Sequence, residues 1–370
     1  MTSPSPKVED LVKKALKEAL DKRKPPKIET STTEDVSCET TEEDKELMKG
    51  SPDTKGLKPN QIYLSEVIGQ SVDQDFGVTV FQESDWDERI APFVPSINTS
   101  YVIDKDLATN ILRAWELNEK VLCYGPTGSG KSSLIEQLCA RTYRPFVRIN
   151  CTGDMDSSMI FGQLTAKDGS TIWVDGAATE AVRYGAVFAW DEWDVTPPEI
   201  SMGLQWLLED NGKLFLKEMP GATKDKQIIP HKDFRLVAIG NTQGQGDDTG
   251  AHAGTNVQNS ATLDRFGTAV YIDYLDAPVE EKILTKKFPT LAGKAAKELV
   301  KLANLIRTGY KAGQFNLTMS PRSLISICNK ATTGTSLHTA FALVYLNKLN
   351  DTQRKVAHEL FTKVYGNKLS

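Results

Sequence analysis

The chain has 370 residues and a mass of 40.8 kDa, which is enough for two or three domains with hydrophobic cores. Its net charge of −5 and pI of about 5.6 argue against a surface built as a whole to bind a polyanion, although they leave room for a small basic patch. The five cysteines are widely spaced, which argues against a disulfide framework or a structural zinc site. With no apolar run of membrane-spanning length and no signal-peptide core, we expect a soluble cytoplasmic protein without membrane contact.

The first sixth of the chain differs from the rest. Residues 1–60 carry many charges of both signs and contain no Phe, Trp or Tyr, so they predict a mostly disordered tail. Within the tail, residues 7–22 repeat Val, Leu and Ala at helical spacing. This pattern predicts a short amphipathic helix that either docks on the body or a partner, or stays solvated. Residues 61–100, where aromatic residues return, predict a lead-in segment of unknown role.

Residues 101–275 alternate between short apolar runs and helical stretches, which is typical of an α/β domain with a parallel sheet covered by helices. The predicted strands are 121–124, 146–150, 186–190, 236–240 and 269–274, with helices such as 132–140 and 199–209 between them. Residues 276–370 contain only helical patterns. The helices predicted there are 279–288, 292–307, 321–331, 337–348 and 351–364, and they indicate a small all-helical domain.

A phosphate-binding motif follows the first predicted strand and precedes a helix, which is the context that this motif requires. Its residues are Gly125, Pro126, Thr127, Gly128, Ser129, Gly130, Lys131 and Ser132. The glycines let backbone N–H groups turn toward phosphate, and the helix N-terminus adds positive potential. Lys131 can reach the β- and γ-phosphate oxygens of ATP, while the Ser132 hydroxyl can bind Mg²⁺.

Two adjacent carboxylates end the third predicted strand. Strand alternation sends Asp191 and Glu192 in different directions. We therefore expect Asp191 to join Ser132 in the Mg²⁺ shell. Glu192 then faces the γ-phosphate and orients or deprotonates the attacking water.

The fourth predicted strand ends in Asn241, a residue type that often only forms turns. If this strand lies between the first and the third, the Asn241 side chain reaches the attacking water or the γ-phosphate. The order of the three motifs along the chain favours this catalytic interpretation.

These motifs, followed by a helical domain, resemble the AAA+ ATPases. Residues 161–185 and 199–235 resemble the β-hairpin insertions of the MoxR and chelatase group. The segment from Gly240 to Phe266 most resembles CobS, the AAA+ subunit of aerobic cobaltochelatase, and its phage-encoded relatives. The resemblance implies sheet order 5-1-4-3-2 and a helical lid domain.

The resemblance also implies an assembly and further site residues. It implies a homo-oligomer, a hexameric ring, with ATP bound between subunits. Arg265 would be an arginine finger that reaches a neighbour's γ-phosphate, and Arg322 would be the sensor-2 arginine that couples the nucleotide to the lid. The expected partner carries a von Willebrand A-type domain, like CobT, and this chain is not expected to bind cobalt or the corrin itself.

Three functions remain open at this point. The favoured one is a Mg²⁺-dependent ATPase that remodels a partner protein in the cytoplasm, which is the host's cytoplasm if the chain is phage-encoded. The alternative is a nucleic-acid translocating motor, since relatives with the same insertions include helicases; nearby Asp and Glu offset the lysines of these insertions. The third is a scaffold that binds ATP but barely turns it over.

Overall fold

The computed structural model describes residues 57–244, 246, 254–291 and 293–366. The predicted helix at 7–22 and nearly all of the predicted tail lie outside these residues. None of the described helices is both long and apolar enough to cross a lipid bilayer.

The described chain alternates strands and helices up to residue 271 and is helical beyond it. The strands are β1 Gln61–Tyr63, β2 Gly77–Thr79, β3 Val121–Tyr124, β4 Phe146–Asn150, β5 Gly162–Lys167, β6 Ser170–Asp175, β7 Val187–Asp191, β8 Leu214–Phe215, β9 Gln227–Ile228, β10 Arg235–Gly240 and β11 Thr268–Tyr271. The helices are α1 Leu64–Ile68, α2 Lys105–Glu116, α3 Lys131–Thr142, α4 Ser157–Phe161, α5 Ala177–Tyr184, α6 Pro198–Gln205, α7 Ser260–Leu263, α8 Ala277–Lys287, α9 Gly293–Lys311, α10 Pro321–Thr332, α11 Leu337–Val344 and α12 Asp351–Tyr365.

Five parallel strands form the central sheet in the order β11-β3-β10-β7-β4. Numbered along the chain, this is the order 5-1-4-3-2, so the predicted order is confirmed. Strand β10 therefore lies between β3 and β7. In register, Gly240 pairs with Tyr124 and Ile239 pairs with Asp191, so the carboxyl ends of the three strands meet at one edge of the sheet.

The two faces of the sheet are covered by separate apolar clusters, as the two-residue period of strand side chains requires. One face presents Leu122, Phe188, Trp190, Leu236 and Ala238. The other presents Val121, Cys123, Val187, Ala189, Val237 and Ile239, and packs against helices α2 and α3. Burial on both faces explains why these strands are continuous apolar runs in the sequence.

The lead-in segment 61–100 is part of this packing. Strands β1 and β2 pair antiparallel, and the side chains of Leu64, Val67 and Val78 are buried in the same cluster as helix α3. Helix α2, which the sequence analysis did not predict, begins after Asp104, whose carboxylate accepts hydrogen bonds from the backbone N–H groups of Asp106 and Leu107. The segment therefore contributes to the apolar cluster that covers one face of β3, the strand that leads to the phosphate-binding motif.

Both predicted hairpin insertions are confirmed. Strands β5 and β6 form a hairpin with six residue pairs, whereas β8 and β9 form only two residue pairs. The helix predicted at 199–209 is shorter than expected, because α6 ends at Gln205 and a 3₁₀ turn, Trp206–Leu208, follows.

Five helices, α8 to α12, form the C-terminal helical region around a third apolar cluster. Helix α10 begins at Pro321 after Ser320, whose hydroxyl caps the first turn. The single helix predicted at 337–348 is wrong: α11 ends at Val344, and Leu346–Lys348 is a 3₁₀ turn. The predicted domain limits at 101–275 and 276–370 remain predictions.

Candidate nucleotide and metal site

The phosphate-binding motif forms a tight loop between β3 and α3. Its backbone is left-handed at Gly128, with φ of 74°, a conformation that glycine adopts without strain. A Cβ atom at Gly128 would lie 2.6 Å from the Cβ of Ser320, so only glycine fits between the loop and the start of helix α10. The hydroxyl of Ser129 is buried and has no hydrogen-bond partner among the described residues. Buried polar groups usually form hydrogen bonds, so this hydroxyl fits a group that binds a ligand.

Lys131, the first residue of α3, is 8% exposed and points back into the loop. Its Nζ donates hydrogen bonds to the carbonyl oxygens of Gly125 at 2.9 Å and Pro126 at 3.0 Å, and to Oδ1 of Asn241 at 3.0 Å. Burial lowers the pKa of Lys131, while the nearby carboxylate of Glu192 opposes that shift.

Ser132, the second residue of α3, lies beside Asp191, the last residue of β7. The Ser132 hydroxyl donates to Oδ2 of Asp191 at 2.9 Å, and Arg148 on β4 forms an ion pair of 2.5 Å with the same oxygen. A hydroxyl and a carboxylate are the oxygen donors that Mg²⁺ takes when phosphates and water complete its shell. The guanidinium of Arg148 shows that the carboxylate of Asp191 can be paired with a positive charge. The residues present therefore fit a magnesium ion.

Glu192 and Asn241 also meet. The Asn241 amide nitrogen Nδ2 donates to Oε2 of Glu192 at 2.8 Å. Burial raises the pKa of Glu192, and the charges of Asp194 and Asp191 raise it further. Asn241 thus contacts both Lys131 and Glu192, because β10 lies between the strands that precede them.

The side chains of Asp191 and Glu192 point in different directions, but strand alternation is not the cause. Strand β7 ends at Asp191, and Glu192 has a left-handed backbone with φ of 53°. The expectation that strand alternation separates the two side chains is wrong, since Glu192 belongs to the turn that starts the 3₁₀ segment Trp193–Val195. The two carboxylates nevertheless have different partners, because Asp191 contacts Ser132 and Arg148 whereas Glu192 contacts Asn241.

Asp194 is a site residue that the sequence analysis missed. It is fully buried, and its Oδ2 accepts hydrogen bonds from the backbone N–H groups of Asn241 and Thr242 and from the Thr242 hydroxyl. It therefore fixes the end of β10. Arg148 was missed as well, because one arginine in a strand carries no motif.

The two predicted arginines lie apart from this cluster. Arg322, at the start of α10, lines a cavity of about 640 Å³ together with Gly128 and Ser129 of the loop and Tyr101 of the lead-in. Arg265 hydrogen-bonds to Glu209 and to the backbone oxygen of Ala261, and no contact with the other predicted site residues is found in the described part of the chain. The structure thus brings Arg322, but not Arg265, to the loop of its own chain.

Tyr274, another residue without a sequence signal, connects the loop with the helical region. Its hydroxyl donates to the carbonyl oxygen of Thr127 at 2.8 Å and lies 3.1 Å from the hydroxyl of Thr318. The guanidinium of Arg307, in α9, lies 4.0 Å from the centre of its ring. The loop and the helices that follow it are therefore in direct contact.

Comparison with known proteins agrees with this architecture. The family of AAA domains of the dynein-related subfamily matches residues 120–266, which contain four of the five parallel strands and end just before β11. These residues therefore resemble an AAA domain, and the predicted resemblance to the AAA+ proteins of the MoxR and chelatase group is confirmed.

Three known proteins are similar to the chain in sequence or in structure. It is related to the aerobic cobaltochelatase subunit CobS of Sinorhizobium sp, with 29% identity over 322 residues, 85% of this chain and 93% of that protein. Midasin of Dictyostelium discoideum is 31% identical over 198 residues, which are 52% of this chain and 3% of midasin. Hsp104 of S. cerevisiae, solved in complex with casein, matches with 16% identity and a TM-score of 0.45, over 68% of this chain and 48% of that chain.

Proposed function

We propose that this chain hydrolyses ATP to ADP and phosphate with the help of Mg²⁺. The observation that carries the proposal is the convergence of Lys131, Asp191, Glu192 and Asn241 at one edge of the sheet. These residues supply a cation for phosphate oxygens, a metal ligand, a base and an amide that contacts both the cation and the base. Neutralising and positioning groups of this kind account for most of the catalysis of phosphoryl transfer.

Each residue has a separate part in the proposed mechanism. Lys131 binds the β- and γ-phosphate oxygens, while Ser132 and Asp191 hold Mg²⁺, which neutralises charge on the phosphates when it is bound. Glu192 accepts the proton of the attacking water, a role that its raised pKa favours. Asn241 orients Glu192 and takes part in binding the γ-phosphate.

We infer further that the chain works as a ring, hexameric by resemblance, in which Arg265 completes a neighbour's site. Within its own chain, Arg265 is held by Glu209 and is 31% exposed, so a neighbour's phosphate could replace that single carboxylate oxygen. Arg322, beside the loop, would transmit the nucleotide state to the helical lid.

The work of the ring, in this proposal, is the remodelling of a partner protein with a von Willebrand A-type domain. The hairpin of β5 and β6 presents the apolar side chains of Leu164, Ile172 and Val174 to solvent. Exposed apolar side chains suit a protein surface better than a phosphate backbone. This supports remodelling of a protein over translocation of a nucleic acid.

The test of ATP hydrolysis is the substitution Glu192→Gln in the full chain. We expect turnover to fall at least about a hundredfold, because general-base catalysis contributes on this scale, while a fluorescent ATP analogue binds with unchanged affinity. Glu218→Gln, at an exposed glutamate in the second insertion, is the matched control and should leave both quantities unchanged. Full turnover by the Glu192→Gln protein would overturn the assignment of the base.

A further inference from the structure

Arg148 is the cation nearest to the proposed metal ligand, and neither a motif nor the proposed mechanism gives it a role. It lies on β4, opposite Ala189 of β7, two residues before Asp191. Its Nη2 forms the 2.5 Å ion pair with Oδ2 of Asp191. A cation held against a nearly buried carboxylate calls for a physical explanation.

The contact involves one particular oxygen of the carboxylate. Oδ1 of Asp191 accepts a hydrogen bond from the backbone N–H of Glu192 at 3.1 Å, within the protein's own turn. Oδ2 accepts from the Ser132 hydroxyl and also contacts Arg148. Since Ser132 and Asp191 are the proposed metal ligands and Ser132 contacts Oδ2, this oxygen would be the one that binds the metal, and the guanidinium already contacts it.

The two partners differ in their freedom to move. The side chain of Asp191 is 6% exposed, whereas that of Arg148 is 46% exposed. Arg148 also lines an open cavity of about 530 Å³ beside the first hairpin, together with Asp175 and Glu180. The carboxylate is therefore fixed, and the guanidinium has both the room to leave it and other carboxylates on the same cavity wall.

We propose that Arg148 is an exchangeable counter-ion of Asp191, which Mg²⁺ must displace to reach Oδ2. Arg148 neutralises the buried carboxylate and keeps it oriented toward Ser132, and it sets the concentration of free metal at which the site fills. This makes Arg148 a positioning residue that acts through Asp191. The inference rests on the proposed function, because it takes Ser132 and Asp191 as the metal ligands.

The test measures metal binding and not turnover. The full-length protein is kept in excess over a non-hydrolysable ATP analogue, and Mn²⁺ is titrated while electron paramagnetic resonance counts the free ion. Arg148→Gln removes the competing charge, so the dissociation constant for Mn²⁺ should fall about three- to tenfold, the scale of a partly exposed ion pair. Arg148→Met should act in the same direction, and Arg148→Lys, which keeps the charge, should change the constant by less than about twofold.

A double-mutant cycle shows whether the effect passes through Asp191. In the Asp191→Asn background, Arg148→Gln should no longer tighten Mn²⁺ binding. Unchanged or weaker binding by the single Arg148→Gln and Arg148→Met proteins would overturn the proposal, because Arg148 would then support the site and not compete for it. Failure of the unsubstituted protein to retain Mn²⁺ with the analogue would instead contradict the proposed function.

Discussion

Asp194 holds Asn241 by its backbone, since Oδ2 of the fully buried carboxylate accepts the Asn241 N–H at 3.0 Å. The same oxygen accepts the N–H and the hydroxyl of Thr242. One carboxylate oxygen thus fixes two consecutive residues at the end of β10. Asp194 thus holds the backbone of the residue whose side-chain amide bridges Lys131 and Glu192.

We predict that Asp194→Ala lowers both stability and turnover. Three donors would lose their acceptor inside the protein, so the free energy of unfolding should fall by about 2–4 kcal/mol. Released from Asp194, Asn241 should orient Glu192 poorly, and kcat should fall while nucleotide affinity changes less. Denaturant unfolding and steady-state kinetics test this, and Asp194→Asn, which keeps one acceptor oxygen, should lie between the two proteins. An Asp194→Ala protein with normal kcat would show that Asn241 does not need this support.

Arg265 and Lys131 should complement each other across subunits. Arg265→Ala and Lys131→Ala should each abolish turnover, the former without loss of ATP binding. In a mixture, a subunit with intact Lys131 can sit beside a neighbour with intact Arg265, so part of the activity should return. Turnover measured across mixing ratios tests this. If the mixture assembles but recovers nothing, either Arg265 does not act in trans or the ring requires concerted action.

Tyr274→Phe should weaken nucleotide binding while preserving the fold. The substitution keeps the ring beneath Arg307 but removes the hydroxyl that binds the carbonyl oxygen of Thr127. We expect the dissociation constant of a fluorescent ATP analogue to rise about three- to tenfold, the scale of one lost hydrogen bond. Tyr63→Phe, at an exposed tyrosine of β1, is the control. Equal affinities for the three proteins would show that the hydroxyl does not shape the loop.

The helical region should depend on the buried pair of Glu280 and Arg307. Both side chains are at most 6% exposed, and the guanidinium forms two hydrogen bonds to the carboxylate, of 2.7 and 2.9 Å. Glu280→Ala leaves the arginine charge buried without its carboxylate and should cost about 3–5 kcal/mol. Urea unfolding must be followed by circular dichroism, because all six tryptophans precede residue 276. Glu281→Ala, one position further on, should be nearly neutral, and equal losses for both variants would contradict this role of the pair.

The sequence allowed prediction of those parts of the site that are contiguous. The loop from Gly125 to Ser132 could be predicted because its residues are consecutive in the sequence. Asp191 could be predicted because it directly follows a run of apolar residues. The place of Asn241 depended on the strand order, which came from the resemblance to AAA+ ATPases and not from any local pattern.

Two of the residues that the sequence analysis missed contact residues that are distant in the sequence. Arg148 reaches Asp191 from a neighbouring strand, and Asp194 reaches Asn241 across 47 positions of the chain. No local periodicity marks such pairs, since each depends on register and on the turn after β7. The different directions of the Asp191 and Glu192 side chains depend on the left-handed backbone of Glu192. This conformation is uncommon outside glycine, and no pattern in the sequence predicts it.

The three oxygens around Lys131 have a consequence for the affinity of the site. An ammonium group has three protons to donate, and the chain itself supplies three acceptors, on Gly125, Pro126 and Asn241. A phosphate oxygen can be bound only in exchange for one of them, so the strength of binding is a difference between two well-matched sets of partners. In the proposed mechanism, such an exchange would keep nucleotide affinity moderate and would let ADP leave after each turnover.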